Sequence, residues 1–144
     1  LGLVWTAVAV VLGGAAMFLG VPLMGTDPMI FLTRVTAPFI FGVIIVLNML
    51  QNSLFAAMTQ PLKGVMNTLA AAATGVVLAN LYGVLAPVVT GALPSGAPGY
   101  EYEIWLANAL LSVTFPLLIV VAAYLDFWPL APRTAPAGRE AART

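Results

Sequence analysis

The chain has 144 residues and a formal net charge of zero, with 62% of its residues hydrophobic and 7% charged, against about 25% charged in an ordinary soluble domain. One soluble core of this size cannot hide so much apolar surface, and so sparse and balanced a charge offers nothing to nucleic acid. Cysteine and histidine are absent, which excludes disulfides, cysteine-held iron–sulfur clusters, histidine-ligated haem and the usual zinc and copper sites, and removes the side chain best suited to proton transfer near neutral pH.

The few charges cluster, and the stretches between them are each long enough to cross a hydrocarbon core, which takes about 20 helical residues. The sequence therefore reads as all-α: a polytopic transmembrane helical bundle of about four spans within residues 1–129. The Ala/Pro/Arg-rich residues 130–144 have too few large apolar side chains to pack and read as a disordered cytoplasmic tail.

The first span, over residues 1–24, carries no charge. It starts in an apolar run with no basic residue before Arg34, which suits either a piece of a longer sequence or a protein numbered without its first few residues. Gly13, Gly14, Ala15 and Ala16 lie mid-span, where small side chains let another helix come close. Gly25-Thr26-Asp27-Pro28 then reads as a turn and a helix start: Thr26 or Asp27 can cap, and Pro28 suits a first position whose N–H is unpaired anyway.

The second span is expected over residues 35–58, with a tight break at Gln60-Pro61-Leu62-Lys63-Gly64. Its polar residues Asn48, Gln51 and Asn52 have helical spacing and would share one face near the middle of the bilayer. An amide stripped of water seeks partners within the protein, so this face predicts either interhelical hydrogen bonds or a lining for a neutral polar solute. The third span, over residues 65–89, carries Ala71, Gly75, Ala79 and Gly83 at four-residue intervals, a smooth packing stripe. Asn67, Thr74 and Asn80 lie elsewhere on that helix, and Thr74 is placed to bond across to Asn48 or Gln51.

A Gly/Pro/Ser-rich loop from Thr90 leads to the fourth span, over residues 104–125. Glu101 and Glu103 precede it, where acidic groups favour a helix N-terminus; they also leave room for a weak surface cation site. Asn108, Ser112 and Thr114 come before Pro116, which cannot bond back to Ser112 and predicts a kink there.

Four spans put Lys63, Arg133, Arg139 and Arg143 on one side, and Arg34 with Asp27, Glu101 and Glu103 on the other. Basic residues favour the cytoplasm, so both termini are assigned to it, in a bacterial-type inner or plasma membrane. Arg34 is expected to snorkel from its span end. Mid-span ionisable residues, the usual sign of a proton or ion path, are missing. The sequence offers no catalytic constellation, metal-ligating set or cofactor motif. It suits a non-catalytic subunit or domain of a larger membrane complex, whose partners are the lipid bilayer and other membrane chains or further copies of itself. The alternative is a transport module for a small neutral polar solute, lined by the Asn/Gln face, with Pro116 permitting movement.

Overall fold

A computed structural model describes residues 2–127, except for the side chain of Trp5. The expected tail, with Arg133, Arg139 and Arg143, lies outside the described residues. The described chain is helical without strands and contains four helices long and apolar enough to span a membrane: α1 (Gly2–Leu23), α2 (Pro28–Met49), α3 (Leu62–Val89) and α4 (Glu101–Tyr124).

Asp27, rather than Thr26, starts α2. Its Oδ1 accepts hydrogen bonds from the backbone N–H of Met29 at 2.8 Å and of Ile30 at 3.4 Å, and Pro28 takes the first helical position. The early start brings an early end. The helix stops at Met49, and Gln51 and Asn52 adopt left-handed conformations with φ of 54° and 55°. The second span therefore sits well N-terminal to residues 35–58, and residues 50–61 form an irregular connection rather than a tight break. The uncharged Leu54–Met58 stretch prolongs the apolar run past the helix, which is why charge spacing places the boundary too late.

Two prolines lie just past a widened helical turn. The π-helical turn Leu32–Thr36 precedes Pro38, and another, Leu110–Thr114, precedes Pro116. A proline lacks the N–H for the preceding turn and its ring crowds the carbonyl there, so a locally widened helix relieves both problems. Ser112 lies within the widened turn.

Helices α2, α3 and α4 form the packed unit. The α2–α3 seam is the tightest part. A Cβ built on Gly42 would overlap the Ala71 carbonyl, and one on Gly75 would lie 2.7 Å from the Pro38 carbonyl oxygen. Glycine is needed at both places because backbone faces backbone. Ala71 and Gly75 thus use their stripe within this chain, while Ala79 is only half-buried and Gly83 lies beside the Tyr102 hydroxyl. Phe41, Tyr82, Leu106 and Leu110 make the apolar centre where the three helices meet. By contrast α1 stands apart: Gly20, under the Phe31 ring, is the only buried residue among those of α1 whose burial is described, and a Cβ built on Gly13 or Gly14 would meet nothing within 4 Å.

Candidate functional site

The chain direction brings the start of α2, the loop 90–100 and the start of α4 to one end of the bundle. There Glu103 is fully buried, with 0% of its side chain exposed, while Arg34 is 40% exposed. Arg34 Nη2 lies 2.9 Å from Glu103 Oε1, and Arg34 Nε donates to the same oxygen at 3.1 Å. Ser95 joins both partners. It accepts from Arg34 Nη2 at 2.6 Å and donates to Glu103 Oε1 at 2.6 Å, and the Gly96 N–H donates to Oε2 at 3.2 Å. A buried carboxylate is tolerable only when its lone pairs are met and an opposite charge is near. Here both conditions hold.

Aromatic rings continue the cluster inward. The Arg34 guanidinium lies 4.5 Å from the Tyr102 ring centroid. Tyr102 stacks on Trp105 at 6.5 Å, and Trp105 meets Tyr82 edge-on at 6.0 Å. The Tyr82 and Thr114 hydroxyls share a hydrogen bond of 2.6 Å in the interior, linking α3 to the turn before Pro116. Arg34, at the outer part of its span and partly exposed, is thus an ion-pair partner of the buried Glu103. Glu103 lies in the first turn of α4, as expected, but as a buried acceptor rather than a surface charge. The sequence carries a signal for the pair, since α2 and α4 start at the same end. It carries none for Ser95, whose position depends on the loop.

Beside this cluster, Tyr100 donates from its hydroxyl to Asp27 Oδ2 at 2.8 Å, tying the two helix starts together. That bond holds the Asp27 carboxyl below the usual carboxylate range, and it raises the Tyr100 phenol above its ordinary value. The contribution of Asp27 to stability is therefore complete above the unfolded carboxylate pKa and is lost as pH falls through the depressed folded one. Tyr100 contributes below the ordinary phenol pKa and loses that contribution as pH rises through its elevated one. In Tyr100→Phe the Asp27 carboxyl should titrate at higher pH, and the acid limb of the stability curve should move upward with it. Carboxyl carbon NMR during a pH titration reads the first shift directly. An unchanged Asp27 titration would remove the bond from the account.

At the opposite end, the expected polar face is dispersed. Asn48 is exposed in the last turn of α2, whereas Gln51 and Asn52 lie beyond the helix in left-handed turns and cannot continue its face. Thr74 donates to the Ala70 carbonyl of its own helix at 2.8 Å instead of crossing to α2. A β-hydroxyl on a helix reaches the carbonyl one turn back with no movement of its neighbours, and that local bond wins. Asn80 likewise bonds back to Val76, at 2.7 Å, on an exposed face. The cross-element bond that does form runs from Asn67 Nδ2 to Asn52 Oδ1, at 2.6 Å. Asn108 and Ser112 are exposed together in an apolar groove between α3 and α4, beside Tyr82 and Trp105.

Among the described residues, no group of three or more Asp or Glu is placed to hold a metal ion. Comparison with known proteins finds no matching family model, no similar curated protein and no similar solved structure.

Proposed function

We propose that this chain is a non-catalytic, membrane-embedded subunit or domain of a larger membrane complex, with both termini on the cytoplasmic side. The observation that carries the reading is α1, which is apolar on every side and stands away from the three-helix unit. Lipid alone would accept such a helix, because acyl chains are as apolar as leucine. Lipid does not call for the run Gly13-Gly14-Ala15-Ala16, which suits close approach of another helix. The unpaired Asn108 amide in its open groove adds support, since an amide facing hydrocarbon gains from a partner. The transport alternative has less behind it, because Asn48 and Thr74 do not join Asn52 and Asn67 around one cleft.

Purification in mild detergent with mass measurement tests the reading. The expected species is larger than one chain, and Gly13→Leu with Gly14→Leu should release a folded monomer. A wild-type protein that is already a lone monomer, with no partner lost on deletion, would contradict it.

A further inference from the structure

The cleft between the end of α2 and the start of α3 has a volume of about 330 Å³, at the small end of the range for ligand sites, roughly 300–1,000 Å³. Its lining changes character with depth. Val43, Leu47 and Ala71 form the part toward the bundle middle, while Asn52, Gln60 and Thr68 form the part toward the loop. Charged side chains are missing from the lining. Asn67 stands between the two zones, only 8% exposed, and its Oδ1 is enclosed without a hydrogen-bond partner. Exchanging the two amide atoms would not remove the problem, because Asn52 can meet only one of them.

An enclosed amide atom without a partner costs on the order of 1–3 kcal/mol. The site therefore holds an unmet acceptor beside the further amides of Asn52 and Gln60, above an apolar floor. We propose that this cleft binds the head of an uncharged, hydroxyl-bearing amphiphile, a diacylglycerol-like lipid. A hydroxyl both donates and accepts, so it can meet the Asn67 oxygen and take a bond from a neighbouring amide. Turning the Asn67 amide brings its enclosed oxygen to the cleft along a soft torsion and gives up the bond to Asn52, which bonds to the ligand hydroxyl replace. The glycerol-linked chain then follows Val43 and Leu47 toward the bundle middle. A phosphate head would find no cation in the lining, and a free polar solute would leave the apolar floor unused.

The proposal shares the membrane setting of the subunit reading but does not depend on the subunit role. Phosphatidylcholine nanodiscs holding the whole chain and a photoactivatable diacylglycerol supply the test. Crosslinks should concentrate in residues 43–71, and unlabelled dioleoylglycerol should compete for them while dioleoylphosphatidic acid and glycerol do not. Asn67→Leu should lower probe affinity about tenfold, the scale of one hydrogen bond. Leu47→Trp should block the cleft from an exposed wall position while leaving the Asn67–Asn52 bond intact, so its loss of labelling is not a failure to fold. Crosslinks spread along the chain, labelling indifferent to both variants, or competition by glycerol would each overturn the proposal. A monomer that takes the probe contradicts the subunit role alone, and a complex that refuses it contradicts the site alone.

Discussion

Gly42→Ala should unfold or loosen the three-helix unit, although a glycine-to-alanine change inside a helix ordinarily stabilises it by about 1 kcal/mol. The reversal of sign comes from what the new methyl meets. At Gly42 it would run into the Ala71 carbonyl, and at Gly75 into the Pro38 carbonyl at 2.7 Å. A flexible side chain could swing away, but a carbonyl held in a helix moves only with its helix. The two helices must part, and the contacts along the seam loosen together. The expected loss is about 1–3 kcal/mol or more at each position, the cost of overpacking a close interface. Gly13→Ala is the matched control, since nothing lies within 4 Å of its added Cβ. It should leave the unfolding temperature of the isolated chain unchanged or slightly raised. Thermal unfolding in detergent, followed by near-ultraviolet circular dichroism, separates the variants. A stable Gly42→Ala would mean that the α2–α3 seam is looser than described.

Removing Arg34 should have an effect of similar size. Arg34→Ala leaves the Glu103 carboxylate buried with hydrogen bonds from Ser95 and backbone N–H groups but no opposite charge to meet it. Breaking a buried ion pair from one side costs about 3–5 kcal/mol. The lower end, about 3 kcal/mol, applies here because Arg34 is 40% exposed. Taking both charges away together is another matter: Arg34→Met with Glu103→Leu removes the stranded carboxylate and should recover most of the loss. Arg34→Lys should fall between, because an ammonium lacks the planar fork that reaches Glu103 and Ser95 at once. Unfolding of these variants in one detergent gives the order directly. If the double substitution is as unstable as Arg34→Ala, the penalty does not come from the stranded charge.

The four helices were legible because charge spacing is a strong signal where apolar stretches are this long. The start of α2 was half legible: Thr26-Asp27-Pro28 contains both a cap and a proline suited to the first position, yet the charge of Arg34 set the expected span from residue 35. The end of α2 was not. Leu54–Met58 is as apolar as the helix before it, and nothing in composition reveals that Gln51 and Asn52 turn left-handed. That single shift dispersed the expected Asn48–Gln51–Asn52 face and exposed the Asn52–Asn67 bond instead. Packing between helices was half legible. The stripe through Ala71 and Gly75 meets α2, but its counterpart Gly42 sits alone among large apolar residues and gives no repeat to notice. The Arg34–Ser95–Glu103 cluster depends on how a Gly/Pro-rich loop folds back, which residue spacing does not encode.

In the proposed arrangement these four apolar helices cross a bilayer, with the Arg34–Glu103 end on the outer side. Because the chain has no cysteine, a single introduced thiol reports its own location. Ala92→Cys and Thr59→Cys place exposed thiols in the loops at the two ends of the bundle. With an impermeant thiol reagent on intact cells, Ala92→Cys should label at once and Thr59→Cys only after the membrane is opened. Labelling of both without permeabilisation, or recovery of the chain as a folded protein in detergent-free buffer, would contradict the account.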